Sequence, residues 1–416
     1  MALSVGILHY SGPPITGGVE AVLEAHAAVF LDHGYRVRLI AGKGSQEALP
    51  PGTELAVIPA MDTQHPRVLQ ISSVLEAGSV PEAFAELRAA LREALLPLVR
   101  DLDVLVVHNV FTKHFNLPLT AALFDLLEAG EIRRAVSWVH DITWTSPNSR
   151  SKVFPGYPWD LLRQLPPATT LAAVSTQRQR ELASLLGQPE KNITVVTNGV
   201  DTRLWLNVTS EGWALAQRFG LPSAGLALLL PVRITQAKNI ELALRVTAVL
   251  KGQQIGPRLV VTGPPDPHSE TSMAYYHSLL DLRRSLGVEE EARFVFEAGQ
   301  GAPHLISHTV VADLMRICDV LFMPSHREGF GMPVLEAGLA GIPVVCSTSV
   351  PAAVEVGGLD VHLFDPQDAP EAVARGILSA IDLPTSRMRR RVRLEYTWEH
   401  IFAHQIRPLL EGVECP

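Results

Sequence analysis

The sequence predicts an α/β protein built from two doubly wound domains, each a parallel sheet with helices on both faces. Three observations carry this. Short apolar and β-branched runs alternate with longer amphipathic stretches along the chain. The alternation restarts after TVVTNGVD at 194–201. The 416 residues exceed one ordinary domain and suit two of about 200 each.

In chain order, SVGILHY reads as a first strand, Gly17-Gly18 as a turn and Val19 to His33 as a helix that Gly34 ends. YRVRLIAG is the second strand, followed by VLVVHN at 104–109, AVSWVH at 135–140 and LAAVS at 171–175. In the second half, ALLLPVR at 227–233, RLVVTG at 258–263, RFVFEAG at 293–299, DVLFMPS at 319–325 and IPVVCS at 342–347 read as strands. YTWEHIFAHQIRPLL at 396–410 reads as a terminal amphipathic helix. The expected domains are therefore 1–205, 206–395 and a terminal helix within 396–416. Doubly wound domains hold ligands at the carboxyl ends of their strands, which predicts a cleft between the two.

Composition narrows the function. With 47% hydrophobic and 19% charged residues the chain is globular, and a net charge of -8 disfavours non-specific nucleic-acid binding. The start, MALSVGILHYSG, lacks a basic n-region and reads as a strand, not a signal peptide. Cys318, Cys346 and Cys415 lack metal or redox spacing, so a reducing cytoplasm is expected. The basic run from Arg387 to Arg393 reads as a solvated helix face in preference to a membrane contact.

The most informative stretch is HREGFGMPVLEAGLAGIPVV, from His326 to Val345. It orders a strand end, a glycine loop, a proline and a helix. Pro333 suits the first helical position, so free N–H groups beyond it should make an anion site fit for a diphosphate. Glu328 lies in the loop and Glu336 is expected in the first helical turn, flanking that site. A carboxylate accepts two hydrogen bonds at once, which suits the vicinal hydroxyls of a sugar.

The spacing of Glu328 and Glu336 within EGFGMPVLEA closely resembles the retaining glycosyltransferases of family 4. GGVEAV at 17–22, VVTNGVD at 195–201 and Arg233-x4-Lys238 in PVRITQAKNIELAL are similar to further segments of that family, in the expected order. The resemblance spans nearly the whole chain. It implies the GT-B fold, two facing Rossmann-like domains, with a terminal helix that crosses back to the first. It also implies transfer of a hexose, glucose or mannose, from a UDP- or GDP-linked donor to a hydroxyl of a saccharide or polyol. The configuration is retained, no metal or other cofactor is required, and the leaving diphosphate helps deprotonate the acceptor.

Carried over by residue, the resemblance gives Arg233 and Lys238 the donor diphosphate, and Glu328 the hexose hydroxyls. The backbone of Gly329, Phe330 and Gly331 lets the donor approach, with Met332, Pro333, Val334 and Leu335 following and Glu336 on the ribose diol. Gly17 and Gly18 allow the first domain's backbone to approach the phosphates. His140 is placed near the transferred sugar. His108, Asp141 and Trp144 are acceptor candidates, and the loop 141–160 adds the aromatic faces of Phe154, Tyr157 and Trp159. Met332 stands where the family varies, so the donor stays open, and the stretch 262–288 is longer than the family's minimum.

Asp101-Leu102-Asp103 has the D-x-D form of metal-dependent glycosyltransferases of another fold, but it precedes a strand and reads as a polar turn. His108 with His114, and His268 with His277, lack metal-site spacing. No P-loop and no nucleophile elbow is present. A nucleotide-sugar epimerase of the same fold and a non-catalytic nucleotide-sugar-binding protein stay open as rivals.

Overall fold

Apolar runs buried on both faces cannot sit at a surface, and here they become the strands of two parallel sheets. The computed structural model describes residues 3–15, 17–266, 271–299 and 305–412. The chain divides into two units, Met1–Gly199 with Trp398–Pro416, and Val200–Thr397.

The first unit holds β1 (Ser4–Leu8), β2 (Arg36–Ala41), β3 (Glu54–Val57), β4 (Val104–His108), β5 (Ala135–Val139), β6 (Thr169–Ala173) and β7 (Ile193–Val195). All pair in parallel, in the order β3-β2-β1-β4-β5-β6-β7. Strand alternation divides the core between the faces: Val104 and Val106 join one apolar cluster, Leu105 and Val107 the other. The first cluster also takes Ile401, Phe402, Ile406, Leu409 and Leu410 from the last helical stretch, Trp398 to Glu411. That stretch passes through a π-helical turn at Phe402–Ile406.

The second unit holds β8 (Leu226–Leu230), β9 (Pro257–Val261), β10 (Ala292–Phe294), β11 (Val320–Met323), β12 (Val344–Ser347) and β13 (His362–Phe364). Their order is β10-β9-β8-β11-β12-β13, again all parallel. Both units are thus doubly wound and Rossmann-like. Strand order reverses between β1 and β4 in one and between β8 and β11 in the other, and a ligand site is expected beyond the carboxyl ends there.

Strand lengths depart from the sequence reading at the edges. RFVFEAG yields only Ala292–Phe294 as strand, because β10 has one neighbour and β9 ends at Val261, opposite Phe294. Beyond it Arg283 grips Glu297 with two hydrogen bonds, at 2.7 and 2.9 Å, and the chain turns at Val295–Ala298. The edge strands β3 and β13 were not read from sequence: they are short and half-exposed, so neither carries an apolar run.

One buried ion pair ties the second unit together away from the strand ends that could bind a ligand. Arg393 Nη2 lies 2.7 Å from Asp319 Oδ2, with side chains 3% and 6% exposed. Arg393 also donates to the carbonyls of Leu221 and Pro222, and Asp319 accepts from the Ala227 N–H at 2.9 Å. Both partners thus carry further hydrogen bonds that offset part of the desolvation, while Arg393 Nε is buried without a partner among the described residues. Part of the basic run from Arg387 to Arg393 is thus structural and buried, and not a solvated face.

Candidate active site

In the second unit the loops leaving β8 and β11 carry most of the expected donor residues. After β8 a 3-10 turn at Gln236–Lys238 leads to Asn239, held at φ 51°, which opens the helix Ile240–Gly252. Asparagine tolerates this left-handed geometry better than most residues, and Asn239 is held there by a long-range bond from its Nδ2 to Pro366 O at 3.3 Å. The turn aims Lys238 at the loop after β11. Lys238 Nζ lies 2.7 Å from Glu328 Oε1, with side chains 20% and 11% exposed.

The surrounding bonds fix that contact. The N–H groups of His326 and Arg327 both donate to Ala237 O, at 2.8 and 3.2 Å, locking the two loops together. The buried Ser325 donates its hydroxyl to the same Glu328 Oε1 at 2.9 Å, and its carbonyl accepts from Ser347 Oγ. Two donors converge on one carboxylate oxygen, and Glu328 Oε2 has no donor among the described residues. Beside them the Cys346 thiol is pushed up to about 12, by burial first and then by the Glu328 charge, so it stays protonated.

The glycine loop is built for close approach. Gly331 sits at φ 103°, and a Cβ there would lie 2.5 Å from Val350 Cγ1, so the position requires glycine. Phe330 O accepts from Ala352 N–H at 2.8 Å, while the N–H groups of Gly329, Phe330 and Gly331 have no acceptor among the described residues. A run of such donors forms an anion-binding concavity.

The helix behind the loop differs from the expectation. It spans Met332–Ala340, so Pro333 takes its second position and Glu336 its second turn, exposed. Pro333 has no N–H and that of Val334 is bonded to Gly331 O at 3.0 Å, so the helix offers fewer free donors than its sequence implied. Val334 is buried, whereas Met332 and Leu335 are 55% and 37% exposed. Arg233 follows β8 and is exposed, without an ion pair among the described residues.

In the first unit the residues after β1, β4 and β5 form a histidine cluster. His9 follows β1, His108 ends β4, His140 follows β5, and His26 comes from the helix Gly18–Asp32. His108 Nδ1 and His140 Nε2 are 3.0 Å apart, and His9 Nδ1 meets His108 O at 2.9 Å. Burial dominates the protonation of all four: His140 falls to about 4 and His26 to about 3, and His9 and His108 also lie below the usual imidazole range. They are neutral rings at neutral pH. Asn109, at φ 62°, sets the bend after β4, and its Oδ1 accepts from the N–H groups of His140 and Asp141, at 2.9 and 3.1 Å.

The three acceptor candidates differ in what they already touch. His108 is fully buried and its Nδ1 meets His140. Asp141 is tied to Lys113 Nζ at 2.8 Å, and Lys113 is itself buried. Trp144 is 8% exposed, sandwiched between the guanidinium groups of Arg150 and Arg163 at 4.3 and 4.6 Å, with its Nε1 donating to Trp159 O at 3.3 Å. It anchors the loop 141–160, as does the buried Trp159, while Phe154 is half-buried and Tyr157 is exposed. Gly17 is extended at φ -161°; a Cβ there would overlap the Glu20 carboxylate, while Gly18 begins the helix with open space beside it.

The D-x-D residues are engaged elsewhere. Asp101 pairs with Arg38, Asp103 accepts from the Ser4 N–H and hydroxyl and pairs with Arg133, and both precede β4 at its amino end. Of the other residues weighed, His268 and Cys415 lie outside the described residues. No helix among the described residues is long and apolar enough to cross a membrane.

Two family models tile the chain: Glycosyltransferase Family 4 matches residues 16–204, and Glycosyl transferases group 1 matches 214–395. The chain belongs to glycosyltransferase family 4. A D-inositol 3-phosphate glycosyltransferase of Kineococcus radiotolerans is 31% identical over 239 residues, 53% of this family 4 chain and 51% of the relative. The glycogen synthase of Mycobacterium tuberculosis is 26% identical over 379 residues, 85% of this chain and 82% of the relative. The chain spans about half the length of the inositol 3-phosphate relatives it matches. A solved Anabaena structure, HepE in complex with UDP-glucose, covers 99% of this chain and 100% of that one at 19% identity and a TM-score of 0.35. A superposition that loose bears on neither donor nor acceptor.

Sequence reasoning missed Ser325, Ser347, His9, His26 and Asn109 in this family 4 chain. Ser325 and His9 each follow the end of a strand at a reversal point, a position that could have marked them. Nothing local to His26 or Ser347 marks either, since their partners come from distant segments.

Proposed function

We propose that this chain transfers a hexose, glucose or mannose, from a nucleoside-diphosphate sugar to a hydroxyl of a saccharide or polyol, with retention and without a required metal. The observation that carries the reading is the Lys238–Ser325–Glu328 cluster, in which two donors hold Oε1 and leave Oε2 for a sugar hydroxyl. Lys238 and Arg233 supply positive charge where a diphosphate gathers negative charge as it leaves, the role a metal plays elsewhere. The unpaired N–H groups of Gly329 to Gly331 add dipoles of the same sense. The leaving diphosphate then takes the proton of the incoming hydroxyl, so no protein nucleophile is needed. His140 serves the transferred sugar as a neutral imidazole. The names of the relatives span both acceptor classes, a polyol phosphate and a polysaccharide.

Thermal shift against UDP-glucose, GDP-mannose, UDP-N-acetylglucosamine and ADP-glucose tests donor binding. A true donor at 100 times its Kd stabilises by about 2.7 kcal/mol. Incubation of the best binder with inositol phosphates, glucose and oligoglucans, read by NMR of the anomeric proton, then tests transfer and retention. Inversion at the anomeric carbon refutes the mechanism, and conversion of the donor without any acceptor identifies an epimerase. Activity should survive excess chelator; loss restored by Mg²⁺ or Mn²⁺ would refute metal independence.

A further inference from the structure

Within the first unit we infer that His108 is a positioning residue that donates its Nδ1 proton to His140 Nε2, fixing His140 as the tautomer that carries its own proton on Nδ1. The 3.0 Å contact between two ring nitrogens requires one proton between them. Both rings are neutral, so two arrangements exist. Either His108 donates and keeps a bare lone pair on Nε2, or His140 donates and His108 carries its proton on Nε2.

The packing around His108 Nε2 separates the two. That atom is buried without a hydrogen-bond partner among the described residues, as are both ring nitrogens of His26 and Nε1 of Trp138. The His26 ring lies 5.3 Å from His108 and 4.6 Å from Trp138, and Trp138 stacks on His108 at 5.6 Å. Trp138 and neutral His26 already bring one unpaired N–H each, against a single lone pair on His26. A proton on His108 Nε2 would make three unpaired donors facing one acceptor. A lone pair there gives two of each. Buried unpaired N–H groups are the rarer and costlier defect, so the proton belongs on His108 Nδ1.

The consequence concerns what His140 can do. Its Nε2 is occupied as an acceptor, and its Nδ1 has no hydrogen-bond partner among the described residues. His140 therefore meets a ligand as a hydrogen-bond donor and cannot act as a general base through that nitrogen. The link to turnover rests on the proposed function, since it requires His140 to touch the transferred sugar or its acceptor.

The test is a long-range ¹H–¹⁵N correlation spectrum of the full chain carrying ¹⁵N-imidazole histidine, with His140→Gln assigning the signal. The inference expects a pyrrole-like Nδ1 and a pyridine-like Nε2 for His140, and a pyrrole-like Nε2 overturns it. His108→Asn keeps an amide N–H at the Nδ1 position, whereas His108→Asp offers only acceptors and should move the His140 proton to Nε2. On the proposed function His108→Asp should lower kcat by about 10-fold, the scale of one hydrogen bond, with KM little changed, and His108→Asn should recover most of that loss. An intact tautomer signature with equal kcat for the two variants would keep the tautomer and overturn its tie to turnover.

Discussion

Replacing Lys238 by Ala removes a positive charge 2.7 Å from Glu328 Oε1, so it disturbs two functions at once. On the proposed function the leaving diphosphate loses a cation, and the carboxylate proposed to hold the hexose loses one of its two donors. At an effective dielectric of about 20, unit charges at this separation attract by about 6 kcal/mol. Desolvation of two mostly buried side chains cancels the larger part. A coupling on the order of 2 kcal/mol remains, in the range measured for contacting charges, or about 30-fold in rate.

A double-mutant cycle in kcat/KM reads that number. Lys238→Ala and Glu328→Gln should each lose about 10²-fold, the scale of one preorganised donor. With coupling of about 30-fold the double variant should lose only about 300-fold. Lys238→Arg should rescue poorly, because a planar fork does not replace a compact ammonium. A double variant that loses about 10⁴-fold has additive sites, and the pair is then a neighbourly contact without a shared role. If Lys238→Ala raises KM and leaves kcat intact, the residue binds donor uniformly and the leaving-group role is wrong.

Ser325→Ala removes the second donor to Glu328 Oε1 and should lower kcat by about 5-fold to 10-fold, the value of one net hydrogen bond, while free nucleoside diphosphate binds as before; a matching loss of nucleotide affinity would refute the assignment. Asp319→Ala leaves Arg393 buried and unpaired, and should destabilise by about 3–5 kcal/mol in denaturant unfolding; a loss under 1 kcal/mol would show the pair adds little. Acid should destabilise the first unit: burial holds His140 and His114 at about 4 and His26 at about 3, whereas the unfolded rings protonate near 6.5. The unfolded state then binds more protons, so this stability is complete above pH 6.5 and drains as pH falls toward 4, on the order of 3 kcal/mol per ring. Equal denaturant midpoints at pH 7 and pH 5 would contradict it.

The parts of the fold legible in sequence are those whose burial is written locally. β4 and β8 are buried along their whole length and read as unbroken apolar runs. β3 and β13 escaped because an edge strand needs no such run. The same logic divides the site. Lys238 sits in a short motif after β8, and Glu328 and Gly331 sit in another after β11, each written locally in one loop. An aromatic in a polar loop such as Trp144 looks like a sugar platform, whereas its contacts with Arg150 and Arg163, invisible in the sequence, give it an anchoring role. Glu336 falls just past the first turn because the helix begins at Met332, one residue ahead of Pro333. A histidine ending a strand, such as His108, looks the same in sequence whether it faces a ligand or another ring.

The two units arrange charge differently, and the proposed chemistry accounts for the difference. In the second, Arg233 is left without an ion pair among the described residues, and the loop N–H groups of Gly329 to Gly331 have no acceptor there either. On the proposed function, an unpaired cation and free N–H groups are what a diphosphate needs, and they are most useful when the negative charge peaks during departure. In the first, the charges near the strand ends are tied off: Lys113 with Asp141, and Arg178 with Glu181. What remains there are neutral imidazoles in low-dielectric surroundings. A hexose carries hydroxyls and no charge, so a free ion beside it would cost desolvation without a partner, whereas a neutral donor with a fixed tautomer gives direction at little cost. On the proposed function, the neutral rings of the first unit suit a sugar and the cations of the second suit a diphosphate.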